Sequence, residues 1–112
     1  MRGVPEPLPG VAASGVPDTA WLLDVREDDE WIAGHAPTAR HIPLGQLGAR
    51  VAEIPADVPV YVICRSGARS ARAAEALSRA GWEAVNVADG MQGWAAAGRP
   101  MVTSTGSAPF VA

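Results

Sequence analysis

Short apolar segments alternate along this chain with segments that carry the apolar spacing of helices. Residues 21–25 and 58–63 are largely apolar runs, and the second is rich in β-branched side chains, as is typical of strands covered on both faces. Weaker strand signals lie near Val11 and at residues 40–42, 84–87 and 100–102. We therefore expect a sheet in which residues 58–63 form a central strand.

The segments between these runs predict four helices, at residues 27–33, 44–54, 68–80 and 90–97. The first ends at Gly34 and is expected to turn Trp31 and Ile32 toward the core. The second places apolar side chains every three or four positions, the spacing of an amphipathic helix. The third consists mostly of strong helix formers and ends at Gly81. This alternation predicts an α/β fold, an open and mainly parallel sheet with helices on both faces.

The length of 112 residues suits one domain with one hydrophobic core. We expect residues 1–103 to form that single domain, with residues 1–10 as an irregular entry. Residues 104–112 are rich in small and polar side chains, and we expect them to form a flexible tail.

Composition and charge exclude several classes of function. A net charge of −3 gives no support for a nucleic-acid partner. No apolar run approaches the roughly 18 residues that span a bilayer, so we expect no membrane association. The chain has no lysine, which excludes Schiff-base chemistry, and its nine basic residues other than histidine are all arginines.

Cys64 is the only cysteine of the chain. A single cysteine excludes an intramolecular disulfide, a Cys-x-x-Cys redox pair and a cysteine-rich zinc site. Residues 1–10 contain three prolines and no apolar core, unlike a signal peptide. We therefore expect a cytoplasmic protein, since a lone thiol stays free in a reducing compartment.

This cysteine directly follows the predicted central strand and opens a short loop before the predicted helix 68–80. The loop reads Cys64-Arg65-Ser66-Gly67-Ala68-Arg69. The first N–H groups of a helix lack partners within the helix, and the helix dipole adds positive charge there, so this position favours an anion. Gly67 lets the loop curl, because glycine adopts positive φ at little cost. The anion would be the Cys64 thiolate, a substrate oxyanion, or both.

Three arginines, Arg65, Arg69 and Arg72, lie near the N-terminal end of the same helix. Cations are unfavourable at that end of the helix dipole, so these arginines favour an anion among them. The same field is expected to lower the pKa of the Cys64 thiol, and the thiolate is the nucleophilic form. The alternative is a buried cysteine that acts only as a small apolar side chain.

Four short segments of the sequence can be compared with a known family by their order and spacing. They are Leu23-Asp24-Val25-Arg26-Glu27; Gly34-His35-Ala36-Pro37 with His41-Ile42-Pro43; the Cys64 loop extended by Ser70; and Gly90-Met91-Gln92-Gly93-Trp94 with Gly98-Arg99-Pro100. In order and spacing these blocks, over residues 11–102, resemble the rhodanese family. Ala36 and the pair Arg40-His41 depart from that family's pattern, which has Ile at the first position and Ile-Asn at the second.

The resemblance implies a rhodanese-like sulfurtransferase that needs no cofactor and no metal. Cys64 would take sulfur from a small anion such as thiosulfate, carry it as a persulfide, and pass it to a thiol or to cyanide. A protein persulfide is a further candidate as donor or acceptor. The anion-binding loop would consist of Arg65, Ser66, Gly67, Ala68, Arg69 and Ser70.

Several other polar side chains have two interpretations. Asp24 and Arg26 end a strand at the same edge as Cys64, and they either support the loop or form a structural ion pair. Ser66 and Ser70 either donate hydrogen bonds to the sulfur or the anion, or cap the helix. His35 and His41 are interpreted as structural, because two histidines and a distant cysteine make a poor metal site. The acidic run 27–30 is interpreted as solvated and favourable to the helix dipole.

Two other functions compete with sulfur transfer. Cysteine phosphatases also combine a cysteine, a loop and an arginine. They place five residues between the cysteine and the arginine, whereas four residues separate Cys64 from Arg69. A non-catalytic rhodanese-like binding or sulfur-carrier module is the second alternative. Such modules commonly lack the cysteine, so the presence of Cys64 with both loop arginines favours the enzyme.

Overall fold

A computed structural model describes residues 10–112, and residues 1–9 of the predicted irregular entry lie outside the described residues. Five parallel strands form one sheet in the order β1-β5-β4-β2-β3. The strands are β1 (Gly10–Val11), β2 (Trp21–Asp24), β3 (Arg40–His41), β4 (Val60–Ile63) and β5 (Ala84–Val87). The predicted central strand is confirmed as β4, which pairs with β2 on one side and β5 on the other.

Helices cover both faces of this sheet, so the predicted α/β fold is confirmed. They are α1 (Asp28–Ala33), α2 (Leu47–Arg50), α3 (Ala68–Arg79) and α4 (Gly90–Ala96). Side chains of α2 and α3 pack in one apolar cluster with Leu23 and Val62, whereas α4 packs in a second cluster with Leu22 and Ile63. Alternate residues of each strand thus face opposite layers. Within residues 10–112 the helices are too short and too polar to cross a bilayer.

The predicted amphipathic helix at residues 44–54 is wrong in part. Only α2 is α-helical, and it is flanked by 3-10 turns at Leu44–Gln46 and Val51–Glu53. The apolar spacing is nevertheless used, because Leu47 and Ile54 are buried. Gly45 and Gly48 lie inside this segment, and glycine lowers helix stability by about 1 kcal/mol relative to alanine.

Two further expectations are corrected at the edges of the sheet. Ile32 is 54% exposed rather than turned into the core. Residues 100–102 add no strand to the parallel sheet, because Val102 makes only an isolated antiparallel bridge to His35. That bridge has two backbone hydrogen bonds, of 3.0 and 2.8 Å. It fixes the chain after α4 to the end of α1.

The expected flexible tail makes definite contacts with the domain. The Phe110 N–H donates to the Ala33 carbonyl oxygen at 3.0 Å. Val111 packs against the second apolar cluster. The Arg65 Nε donates to the Ala112 carbonyl oxygen at 2.9 Å. Residues 110–112 therefore lie along the end of α1 and reach the Cys64 loop.

A buried ion pair joins β2 to α1. Asp24 and Arg26 are both fully buried, and the Arg26 guanidinium donates to both carboxylate oxygens of Asp24 at 2.8–3.1 Å. Arg26 also donates to the carbonyl oxygens of Glu30 and Gly34, at 3.2 and 2.8 Å. These bonds satisfy the carbonyl groups at the end of α1, which have no partners within the helix.

Replacing Arg26 with methionine should lower the free energy of unfolding by about 3–5 kcal/mol, because it leaves the Asp24 carboxylate buried without its partner. Urea titration at neutral pH measures this change. Arg50→Met removes one partner of the exposed pair with Glu53 and is the matched control, with a much smaller expected effect. Equal losses in the two variants would contradict a special role for the buried pair.

Candidate active site

Cys64 lies one residue beyond the carboxyl end of β4, at the edge of the sheet where ligands bind in open α/β folds. Only 1% of its surface is exposed. The loop turns at Gly67, whose φ of +104° is in the left-handed region. A Cβ at Gly67 would also lie 2.0 Å from the Ala88 carbonyl oxygen. Both facts require glycine at this position.

The Cys64 sulfur accepts two hydrogen bonds from its own loop. The Gly67 N–H donates to Sγ at 3.1 Å, and the Ser70 hydroxyl donates to it at 3.2 Å. Burial opposes the charged form and raises the pKa of the Cys64 thiol. The Ser70 hydroxyl and the backbone N–H groups of Ser70, Gly67 and Ser66 outweigh burial, so the net effect lowers this pKa below its ordinary value. The site therefore favours the thiolate.

The N-terminus of α4 fixes the opposite side of the loop. The Met91 N–H donates to the Cys64 carbonyl oxygen at 2.8 Å, and the Gln92 N–H donates to the Arg65 carbonyl oxygen at 3.0 Å. A Cβ at Gly90 would lie within 2.6 Å of these carbonyl groups, so the helix approaches this closely only with glycine there. The loop carbonyls thus bind α4, and the Gly67 N–H remains available to the sulfur.

Arg69 binds a carboxylate of α1 rather than the sulfur. Its two terminal nitrogens donate to the two oxygens of Glu30 at 2.6 and 2.8 Å. Arg69 lowers the pKa of Glu30 to about 2 by this hydrogen bonding, which outweighs the burial of the carboxylate. The same bonds, with a smaller contribution from Cys64, raise the pKa of Arg69. Arg69 therefore fixes the start of α3 against α1.

The remaining loop residues are more open. Arg65, Ser66 and Ala68 are exposed, and so is Arg72 on α3. Arg65 reaches toward Ala112, as described above. We expected the arginines to lower the pKa of the Cys64 thiol. The lowering comes instead from the hydrogen bonds donated by Ser70 and the loop amides. Arg65 and Arg72 are thus open to solvent near the start of α3.

Asp24 and Arg26 are linked to the Cys64 loop by contacts through α1. Arg26 binds the Glu30 carbonyl oxygen, and the Glu30 side chain binds Arg69. The Glu30 carboxylate also accepts the Glu27 N–H at 3.0 Å, completing a capping box at the start of α1. The structure thus connects the buried ion pair to the loop through one helix, and neither Asp24 nor Arg26 bonds to the sulfur.

Sequence reasoning missed Glu30, Asn86 and the amides of Met91 and Gln92. Glu30 was expected to be solvated, but its side chain is only 14% exposed. Its position three residues after Glu27 is the pattern of a capping box, and that signal could have marked it. Asn86 on β5 donates from Nδ2 to the Gly67 carbonyl oxygen at 3.3 Å. No local sequence pattern predicts this contact or the hydrogen bonds made by the Met91 and Gln92 amides.

The two histidines lie beside Trp31 and away from Cys64. The rings of His35 and His41 both stack on the Trp31 indole, with centroids 3.5 and 4.7 Å from it. His35 Nδ1 lies 2.8 Å from the Trp31 carbonyl oxygen, and His41 Nε2 lies 2.7 Å from that of Arg26. In the described part of the chain, no three His, Cys, Asp or Glu side chains are grouped to hold a metal ion.

The chain is similar to several known proteins. Residues 11–97 match the family model described as Rhodanese-like domain. The uncharacterized protein YqhL of Bacillus subtilis is 46% identical over 76 residues, which are 67% of this chain and 60% of YqhL. A sulfurtransferase of Allochromatium vinosum is 38% identical over 86 residues, 76% of this chain and 80% of that protein. A rhodanese-related protein of Thermoplasma volcanium has a crystal structure that is 34% identical, with a TM-score of 0.79 over 84% of this chain and 97% of that one.

Ser70→Ala should raise the pKa of the Cys64 thiol, because it removes the hydroxyl that donates to the sulfur. A hydrogen bond to a charged group contributes about 1.5–3 kcal/mol, so the alkylation profile should move to higher pH. The pH dependence of alkylation by iodoacetamide measures it. Ser66→Ala keeps its backbone N–H and should leave the profile unchanged. Equal shifts in both variants would contradict the assignment to the Ser70 hydroxyl.

Replacing Glu30 with glutamine should make the free energy of unfolding depend less on pH in acid. The pKa of Glu30 is about 2 in the folded protein against an ordinary 4.5, so its contribution is complete above pH 4.5 and is lost as the pH falls toward 2. The variant should lose on the order of 1 kcal/mol at neutral pH, because the pair is partly open to solvent. It should also show a shallower decline between these pH values. Urea unfolding at each pH measures both, and a decline as steep as that of the wild type would contradict the pairing.

Proposed function

Because the chain belongs to the rhodanese-like domain family, we propose that it is a sulfurtransferase that carries sulfane sulfur on Cys64. The observation that carries this proposal is the sulfur of Cys64 at the end of β4, bonded to the Gly67 N–H and the Ser70 hydroxyl. Those donors favour a thiolate, which is the form that attacks sulfur.

In the first half-reaction the Cys64 thiolate attacks the outer sulfur of a donor such as thiosulfate. A new S–S bond forms, the S–S bond of thiosulfate breaks, and sulfite leaves with the electron pair. Cys64 is left as a persulfide anion. This exchange needs a thiolate and a good leaving group but no proton transfer, so a catalytic base beside Cys64 is not required.

The loop suits an anion at this position in both states of the enzyme. Its N–H and O–H donors that bind the thiolate are also the groups that would bind a persulfide anion, after a small shift of the outer sulfur. The exposed Arg65 side chain offers a positive charge to the departing sulfite or to an arriving anion. The carbonyl groups of Cys64 and Arg65 already accept hydrogen bonds from α4.

In the second half-reaction an acceptor thiolate or cyanide attacks the outer sulfur. The persulfide S–S bond breaks, and the Cys64 thiolate leaves with the electron pair. Because Cys64 is the only cysteine, no second thiol of this chain can take the sulfur. The sulfur must pass to another molecule, either a small thiol, cyanide or a protein thiol. A free thiol of this kind suits a reducing compartment such as the cytoplasm.

The proposed activity predicts that thiosulfate adds the mass of one sulfur atom to the intact protein, and that Cys64→Ser takes up none. Mass spectrometry of the untreated and treated proteins measures this. Adding cyanide should restore the original mass and release thiocyanate. The Cys64→Ser variant is the matched control, because it changes only the sulfur.

The same samples separate the alternatives. A wild-type protein that takes up no sulfur and transfers none to cyanide would contradict the enzyme and favour a non-catalytic binding module. Hydrolysis of a phosphate ester without sulfur uptake would indicate a phosphatase. Two observations argue against a phosphatase. The gap between Cys64 and Arg69 is four residues rather than five, and the Arg69 guanidinium is already bound to Glu30 rather than free to bind a phosphate.

A further inference from the structure

The hydroxyl proton of Ser70 has two acceptors within reach. Ser70 Oγ lies 3.2 Å from the Cys64 sulfur and also 3.2 Å from the Gly67 carbonyl oxygen. A hydroxyl group has only one proton to donate. A serine in a helix commonly donates to the carbonyl group three or four positions earlier, and Gly67 is three positions before Ser70. The Gly67 carbonyl therefore competes with the sulfur for this proton.

Two other donors already bind the Gly67 carbonyl oxygen. The Ala71 N–H donates to it at 3.1 Å as part of α3, and Nδ2 of Asn86 donates to it at 3.3 Å. A carbonyl oxygen has two lone pairs. These two hydrogen bonds occupy both of them, so the Ser70 proton is left to the sulfur.

Asn86 reaches this carbonyl group from β5, the strand beside β4. It is in register with Val62 of β4, which packs in the same apolar cluster as Cys64. The chain after Asn86 then passes close to the loop, because a Cβ at Gly67 would lie 2.0 Å from the Ala88 carbonyl oxygen. The end of β5 therefore holds the Asn86 amide against the turn that precedes α3.

The other end of the Asn86 amide has no hydrogen-bond partner. Its Oδ1 is buried and accepts no hydrogen bond from any group of residues 10–112. Reversing the amide would place Oδ1 against the Gly67 carbonyl oxygen, with no proton between two acceptors, so Nδ2 must face Gly67. A buried amide oxygen without a partner is unfavourable for folding. We therefore expect the contribution of Asn86 in the properties of the site more than in stability.

We propose that Asn86 is a positioning residue for the nucleophile, because it occupies the Gly67 carbonyl oxygen and thereby directs the Ser70 hydroxyl proton to the Cys64 sulfur. Without this amide, one lone pair of the Gly67 carbonyl is free. The Ser70 hydroxyl then divides its proton between the carbonyl oxygen and the sulfur. The thiolate loses part of one donor, so the pKa of the thiol rises. The consequence for sulfur transfer rests on the proposed function, but the effect on the thiol does not.

The test is a double-mutant cycle of the wild type, Asn86→Leu, Ser70→Ala and the variant with both changes. Ultraviolet absorbance of the thiolate against pH gives the thiol pKa, and Cys64→Ser provides the background from Tyr61. Asn86→Leu should move the titration to higher pH by about half a unit, a roughly threefold smaller thiolate fraction below the pKa. In the Ser70→Ala background the same change should move it less than half as far, because no hydroxyl proton remains to be redirected.

The proteins of the cycle share the charged side chains around the loop, so the comparison isolates neutral donors. These charged residues are Arg65, Arg69, Arg72 and Glu30. Gln46→Leu is the matched control, because it replaces an exposed amide outside the loop and should not move the titration. Asn86→Val makes the same test with a β-branched side chain that suits a strand, in case leucine does not fit.

Two results would overturn the role of Asn86. One is a titration that does not move to higher pH in the Asn86 variants. The other is a shift in the Ser70→Ala background that is half as large as in the wild-type background or larger. That result would mean that Asn86 acts on the loop as a whole rather than through the Ser70 proton.

Sulfur uptake from thiosulfate, measured on the same proteins, separates this inference from the proposed function. Below the thiol pKa, Asn86→Leu should take up sulfur about threefold more slowly than the wild type, in proportion to its thiolate fraction. A shifted titration in proteins that take up no sulfur supports the role of Asn86 and contradicts the sulfurtransferase. Normal sulfur uptake with an unshifted titration contradicts the role of Asn86 and leaves the sulfurtransferase supported.

Discussion

A sulfur atom that is buried, and whose thiol pKa is nevertheless lowered, is the constraint on which this structure depends. Removing a thiolate from water is unfavourable unless hydrogen-bond donors replace the water. The loop after β4 provides those donors, but only if its carbonyl groups turn away from the sulfur. The N-terminus of α4 binds two of these carbonyls, and this requires the close approach that Gly90 allows. The loop, the strand and two helices are thus arranged around one atom.

Two ion pairs, Asp24–Arg26 and Glu30–Arg69, hold the elements around the loop in position. The buried Asp24–Arg26 pair stabilises the end of β2 and binds the carbonyl groups at the end of α1. In turn α1 presents Glu30 to Arg69 at the start of α3. Each of these charges has an opposite partner, so the two ion pairs serve mainly to position the backbone. The hydrogen bonds to the sulfur come from neutral donors, the Gly67 N–H and the Ser70 hydroxyl.

The sequence predicted well what depends on local pattern. The continuous apolar run before Cys64, the glycine-containing loop and the strong helix formers after it identified β4, the turn and α3. The prediction failed where contacts between distant residues decide the structure. Arg69 looked like a ligand for an anion, but Glu30, 39 positions earlier, binds it. The segment 44–54 forms one short α-helix between two 3-10 turns, and residues 110–112 contact α1 and Arg65.

The dependence of the Cys64 pKa on salt tests directly whether neutral donors, rather than the arginines, favour the thiolate. The pKa comes from the pH profile of iodoacetamide alkylation in the wild-type protein. Exposed charges act over a screening length of about 30 Å at 0.01 M salt and about 3 Å at 1 M, whereas hydrogen bonds at contact distance are hardly screened. We expect the same lowered pKa at both concentrations. A pKa that rises toward the ordinary value of a free thiol at high salt would show that the arginine charges, and not the loop amides and Ser70, lower the pKa of the Cys64 thiol.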